Sequence, residues 1–98
     1  MSRYVSAHLA EQDLTDIRDW YRKTRGPTIA RQVLADSRET LRQLARNPDI
    51  GHPRADLAPA DTLFWPHHDR FLVIFLPKTS PLQILRIWDA RRGDPGLK

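Results

Sequence analysis

Five arginines in the C-terminal half are the residues whose types and spacing best fit a binding function. They are Arg54, Arg70, Arg86, Arg91 and Arg92. A planar guanidinium group presents paired N–H donors that match phosphate or carboxylate. On one sheet face these side chains would form an anion-binding patch. The alternative is that Arg70 and Arg86 are half-buried and paired with a nearby acid, the candidates being Asp56, Asp69 and Asp89.

Candidates for proton transfer are fewer. Cleavage of RNA through its 2′-hydroxyl needs a base, an acid and a cation beside one phosphodiester. Only His67 and His68, on a predicted turn, and Asp89, at a strand end, are available near the arginines. Exposed histidines without a catalytic role are the commoner interpretation of such a turn, and adjacent side chains usually point apart. An aspartate beside arginines stays ionised, which suits a base and not an acid.

Composition excludes several classes of site. The chain of 98 residues has no cysteine, and its four histidines show no metal-binding spacing, so we expect neither a metal nor another cofactor. No apolar run approaches the length of a membrane span, and residues 1–6 lack the apolar core of a secretory signal, so we expect a cytoplasmic protein. The net charge of +4 favours an acidic partner or simply aids solubility.

The pattern of apolar residues predicts one α+β domain over residues 1–98. A short strand at 4–6 precedes a helix at 10–25, which Gly26-Pro27 ends, and a second helix at 28–47. A loop at 49–61 leads to strands at 62–65, 70–76 and 82–88. The order β-α-α-β-β-β predicts an N-terminal helical hairpin packed on a small antiparallel sheet.

This order and several local motifs resemble the RelE/ParE toxin superfamily, and its ParE branch in particular. The first helix carries AEQDL at 10–14, then Ile17 and Trp20-Tyr21. GHPR at 51–54 looks like the glycine-x-x-arginine loop, and ILRIWDARR at 84–92 looks like the closing strand and basic tail. The chain differs from many members at Ala7, where a Ser or Thr usually caps the first helix, and at Asp89, where many have histidine.

The resemblance implies the toxin of a type II toxin–antitoxin pair that inhibits DNA gyrase by binding and is neutralised by a ParD-like antitoxin. The alternatives are a RelE-type, ribosome-dependent mRNA endonuclease and a degenerate toxin that retains only antitoxin binding. The absence of a C-terminal tyrosine and of a lysine cluster favours the binding toxin. We expect the large side chains of Trp20, Trp65 and Trp88 to fill the core or contact the antitoxin.

Overall fold

The computed structural model describes residues 3–68 and 70–98. Its helices are α1 (His8–Arg25) and α2 (Pro27–Arg46), with short 3-10 helices at Pro48–Ile50 and Ala90–Arg92. Its strands are β1 (Tyr4–Ser6), β2 (His52–Pro53), β3 (Leu63–His67), β4 (Phe71–Leu76) and β5 (Leu82–Asp89). The predicted α+β class and the order of the main elements are confirmed.

The five strands form one sheet in the order β1-β5-β4-β3-β2. Pairs β3–β4 and β4–β5 are antiparallel, as expected, and β2 also lies antiparallel to β3. Strand β1 instead lies parallel to β5, so the sheet is mixed. The two-residue strand β2 falls in a segment predicted to be a loop. It passes close to the core at Gly51, where a Cβ atom would lie 2.6 Å from the ring of Phe75.

The two helices form the predicted hairpin. Gly26 joins them at φ +92°, a conformation that glycine adopts without steric cost. Its N–H donates to the Arg22 carbonyl and closes the last turn of α1. Helix α1 begins at His8, two residues earlier than predicted, after Ala7, which makes no side-chain cap.

The hairpin covers one face of the sheet. The apolar stripes of both helices meet one alternating set of β4 side chains, Phe71, Val73 and Phe75. The other set, including Ile74, packs on the opposite face with Phe64, Ala58 and Trp88. Both faces of β4 are therefore covered, which explains why its sequence is apolar at every position.

A β-bulge changes the alternation in β5. Ile74 pairs with Arg86 and Phe75 with Ile84, so Leu85 has no opposite residue. As a result Ile87 joins Ile84 in the core beneath the helices, while Trp88 packs on the other side. Among the described residues, neither helix is long and apolar enough to cross a membrane.

Candidate binding groove and histidine pair

A groove of about 180 Å³ lies between α1 and the end of β5, on the helix side of the sheet. We call it the Arg70 groove. Three acids, three arginines and four apolar residues line it: Asp13, Asp16, Asp89, Arg70, Arg91, Arg92, Ile17, Trp20, Phe71 and Ile87. The groove therefore combines balanced charge with an apolar floor.

Arg70 is held by aromatic rings in this groove. Its guanidinium carbon lies 4.2 Å from the ring centroid of Trp20, 5.0 Å from that of Phe71 and 5.7 Å from that of Tyr21. Such cation–π contacts orient the cation without neutralising it. Its Nε atom is buried and has no hydrogen-bond partner among residues 3–68 and 70–98. Arg70 thus keeps donor capacity for an acceptor brought by a ligand.

Asp89 is engaged by Arg91. Both Nε and Nη2 of Arg91 donate to the carboxylate, at 3.1 and 2.9 Å, and its backbone N–H donates at 3.0 Å. These hydrogen bonds and the nearby charge of Arg70 hold the pKa of Asp89 below its usual value. The side chain is an ionised acceptor near neutral pH, as expected from the sequence.

Arg86 pairs with Asp13. Two hydrogen bonds of 2.8 Å join its Nε and Nη2 atoms to the carboxylate, which is 7% exposed. Hydrogen bonding to Asp13 raises the pKa of Arg86. The expected half-buried, paired state is present, but the predicted partners were wrong. Asp69, one of them, lies outside the described residues. The helical period of Ala10, Leu14 and Ile17 already places Asp13 on the buried face, a signal that the sequence interpretation missed.

The remaining two arginines differ in position. Arg92 lines the groove and stacks on Trp88, its guanidinium carbon 4.4 Å from the ring centroid. Arg54 lies apart, on the loop after β2, where it forms a bidentate pair with Asp56. The predicted single patch therefore reduces to Arg70, Arg91 and Arg92, with Arg86 attached through Asp13.

His67 is buried, so the expectation of two exposed turn histidines is wrong for it. It is the last residue of β3, beneath α2, and is 7% exposed. Its Nε2 lies 2.8 Å from the Ser37 hydroxyl and its Nδ1 lies 3.3 Å from the Thr40 hydroxyl. Burial and the neighbouring His68 lower its pKa to about 4.

His68 is exposed, with φ +53°. Its ring contacts that of His67, with centroids 4.3 Å apart, so the two side chains do not point apart. The histidine pair is absent from the lining of the Arg70 groove. The structure therefore does not bring the three candidate proton-transfer residues together.

The three tryptophans occupy different environments. Trp20 is 42% exposed at the rim of the groove. Trp65 is half-buried and stacks on His52 with ring centroids 6.1 Å apart. Trp88 is 7% exposed and donates from Nε1 to the Gly93 carbonyl at 2.8 Å, so it belongs to the core. Within residues 3–68 and 70–98, no group of three potential metal ligands is found.

Comparisons with known proteins agree with this architecture. The family model described as "ParE toxin of type II toxin-antitoxin system, parDE" matches residues 4–93. A solved structure titled "Chromosomal ParDE TA system from P. aeruginosa" is similar, with a TM-score of 0.77 and 27% identity over 91% of this chain and 96% of that chain. No curated protein sequence gives a significant match. The chain belongs to the ParE toxin family of type II toxin–antitoxin systems.

Proposed function

We propose that this chain is a toxin that inhibits DNA gyrase by binding and is neutralised by a ParD-like antitoxin. The observation that carries the proposal is the composition of the Arg70 groove, where carboxylates and guanidinium groups surround an exposed tryptophan. A nuclease site needs an acid and a base that exchange protons near neutral pH. Asp89 has a lowered pKa, and the pKa of Arg91 is raised, so neither fits that exchange.

The placement of the histidines also favours binding. His67 is enclosed by α2, with both ring nitrogens near hydroxyl groups. It is therefore a poor donor to a phosphodiester outside the protein. His68 is exposed but does not line the groove that holds the three arginines. A ribosome-dependent mRNA endonuclease remains the competing proposal, with His68 as its best candidate catalyst.

We assign the contact with gyrase first to Arg92. Arg54, Arg86 and Arg91 are each paired with an aspartate, and Arg70 is half-buried among aromatic rings. Arg92 is exposed, stacks on Trp88, and has no ion pair within the described part of the chain. Of the five arginines, Arg92 therefore gives up the least interaction energy within the protein when it binds an acidic surface, since no internal ion pair must break.

The substitution Arg92→Glu should weaken inhibition of gyrase supercoiling by purified protein about tenfold or more, as expected when about 1.4 kcal/mol of binding energy is lost. Lys78→Glu is the matched control. It makes the same charge change at an exposed residue on the β4–β5 turn, at the other end of β4 from Arg70. Equal inhibition by both variants, with their thermal unfolding unchanged, would remove Arg92 from the interface.

For the antitoxin we propose a surface along α1 that joins the groove. Leu9, Asp16 and Trp20 are spaced so that they share one side of the helix, with the buried Asp13 between Leu9 and Asp16. The two apolar residues at its ends are 53% and 42% exposed. An antitoxin segment that folds on binding would anchor apolar side chains there and bring carboxylates to Arg70. Trp65, which is half-buried, is a secondary candidate for antitoxin contact. Trp88 is not a candidate, because it is buried.

Trp20→Ala should weaken antitoxin binding by about 30-fold, the effect typical of an interface hot spot. Isothermal titration with the cognate ParD-like antitoxin measures it. Ile29→Ala is the control, since Ile29 is an exposed apolar residue on α2, away from the groove lining. If the antitoxin binds the Trp20→Ala variant as tightly as the wild type, the proposed surface is wrong.

A further inference from the structure

Four cations surround the turn between the two helices. Arg22, Lys23 and Arg25 end α1, and Arg31 lies in the second turn of α2; all four are exposed. We call them the basic tip. Residues 20–35 contain no aspartate or glutamate. The tip is thus a surface of one charge sign, unlike the Arg70 groove with its equal numbers of acids and arginines.

The number of cations in the basic tip equals the net charge of the protein. The chain has 16 Lys and Arg residues and 12 Asp and Glu residues, which gives +4. Without the four cations of the tip, 12 basic residues face 12 acidic ones. Because residues 20–35 contain no acid, the tip is a local excess of positive charge at one end of the helical hairpin.

The cations of the tip also differ from other arginines of the chain in that no ion pair among the described residues engages them. Ion pairs within residues 3–68 and 70–98 engage arginines elsewhere, namely Arg18, Arg38, Arg42, Arg46, Arg54, Arg86 and Arg91. None of these pairs involves the tip. The α1 helix dipole favours cations in the last turn, but α2 has no acid in its first turn, and a cation near that end gains nothing from its dipole. Helix stability therefore explains the three cations of α1 but not Arg31.

A cleft between the helices adds a geometric feature. It encloses about 230 Å³ and is lined by Arg18, Arg22 and Arg31 together with Pro27 and Ala30. Its lining contains no acid. Guanidinium groups on both sides of such a cleft can donate to one phosphate group.

We infer that the basic tip binds the phosphate backbone of duplex DNA without sequence specificity. Closely spaced, exposed and unneutralised cations are what such binding requires, because each phosphate contact releases counterions from the DNA. An acidic protein partner would also need apolar anchors. Near the tip the described residues expose Ile29 and Trp20, and Trp20 belongs to the rim of the Arg70 groove. The inference is independent of the gyrase proposal, since it concerns a separate surface and a direct contact with DNA.

The test is fluorescence anisotropy of a labelled duplex of mixed sequence, titrated with the chain without antitoxin. With four phosphate contacts, a plot of the logarithm of the binding constant against the logarithm of the salt concentration should have a slope of about −3.6. The affinity should then fall roughly 150-fold between 50 and 200 mM salt. The variant Arg22→Gln/Lys23→Gln/Arg25→Gln/Arg31→Gln should bind at least about tenfold more weakly at 50 mM salt, with a shallower slope.

The control removes four exposed cations elsewhere, by glutamine substitution of Arg3, Arg46, Lys78 and Lys98. Of these four, Arg46 forms an ion pair, with Glu39. The control variant should bind within about threefold of the wild type, if the clustered charges and not the total charge bind DNA. Equal losses in the two variants, or unchanged binding by the tip variant, overturn the inference. So does wild-type protein that binds polyglutamate but not the duplex, which would indicate an acidic protein partner. Should the quadruple variant unfold, the double variants Arg22→Gln/Lys23→Gln and Arg25→Gln/Arg31→Gln carry the same test.

Discussion

His67 is held in its neutral form by the residues around it. The Ser37 hydroxyl donates its proton to the Val33 carbonyl at 2.9 Å, so it accepts from Nε2–H of the imidazole at 2.8 Å. Nδ1 then accepts from the Thr40 hydroxyl. Protonation would add a charge to a buried ring beside His68, with Asp36 offering only partial compensation.

This environment predicts a loss of stability in acid. The pKa of His67 falls from about 6.5 to about 4 on folding. The unfolded chain therefore binds the extra proton first as pH drops, and the free energy of unfolding decreases between pH 6.5 and 4. The contribution lost by pH 4.5 is about 2–3 kcal/mol.

Urea unfolding at pH 7 and 4.5 measures this loss. His67→Gln keeps a donor for Ser37 but does not titrate, so it should lose about 2–3 kcal/mol less than the wild type over the same interval. His8→Gln, at an exposed position, should behave like the wild type. Identical pH dependence in His67→Gln and the wild type would show that His67 does not titrate as its burial requires.

The contacts between individual side chains of the site were the hardest feature to predict from the sequence. Arginines and aspartates in the closing segment predict ion pairs there, and Arg91–Asp89 is one. The contacts between Asp13 and Arg86, 73 positions apart, and between Ser37 and His67, 30 apart, depend on how the helices lie on the sheet. Local spacing places Asp13 on the buried face of α1 but does not show which residue of the sheet it meets.

Asp13 joins α1 to the open side of β5. Strand β1 pairs with β5 only as far as Ile84. Beyond it the Ile87 N–H would lack a partner, and the Asp13 carboxylate accepts it at 2.9 Å while also binding Arg86. The Asp13 side chain thus accepts a hydrogen bond from the unpaired edge of β5 and holds α1 in place as one wall of the Arg70 groove.

Loss of this carboxylate should destabilise the protein strongly. Asp13→Ala leaves Arg86 and the Ile87 amide without their acceptor, at a cost of about 3–5 kcal/mol in the free energy of unfolding. Asp16→Ala, one turn further along the helix, removes an exposed acid whose hydrogen bond is to Gln12, and should cost below about 0.5 kcal/mol.

Denaturant unfolding of the two variants and of Asp13→Ala/Arg86→Ala completes the comparison. Since the double variant also removes the stranded cation, it should lose less than the sum of the single losses. Additive losses would mean that Asp13 and Arg86 do not interact in solution.

At the scale of elements, the spacing of apolar residues predicts the helices and the long strands, because an element that buries one face must repeat apolar residues along that face. It did not predict the bulge at Leu85, since Ile84 and Leu85 are adjacent apolar residues and the sequence does not show which of them lacks an opposite residue in β4. Nor did it predict the parallel pairing of β1, whose three residues carry too short a pattern to choose a neighbour. Strand β2, with only two exposed residues, leaves no apolar signal.

Across the whole molecule, charge is distributed unevenly. The Arg70 groove at the end of β5 has three acids against three arginines, whereas the basic tip of the hairpin has cations alone. On the proposals above, the groove and the α1 surface take protein partners, and the tip takes DNA. A toxin acting on an enzyme that is itself bound to DNA would use both surfaces at once.

The family predicts the fold but not the target, because related folds carry both binding toxins and nucleases. The central claim is that this chain inhibits by binding. The most direct measurement exposes purified protein in parallel to gyrase supercoiling and to ribosomes programmed with a message. The account predicts inhibited supercoiling that the antitoxin restores, and an intact message. Cleavage of the message with supercoiling untouched would contradict it, and loss of that cleavage in His68→Ala would identify the catalyst.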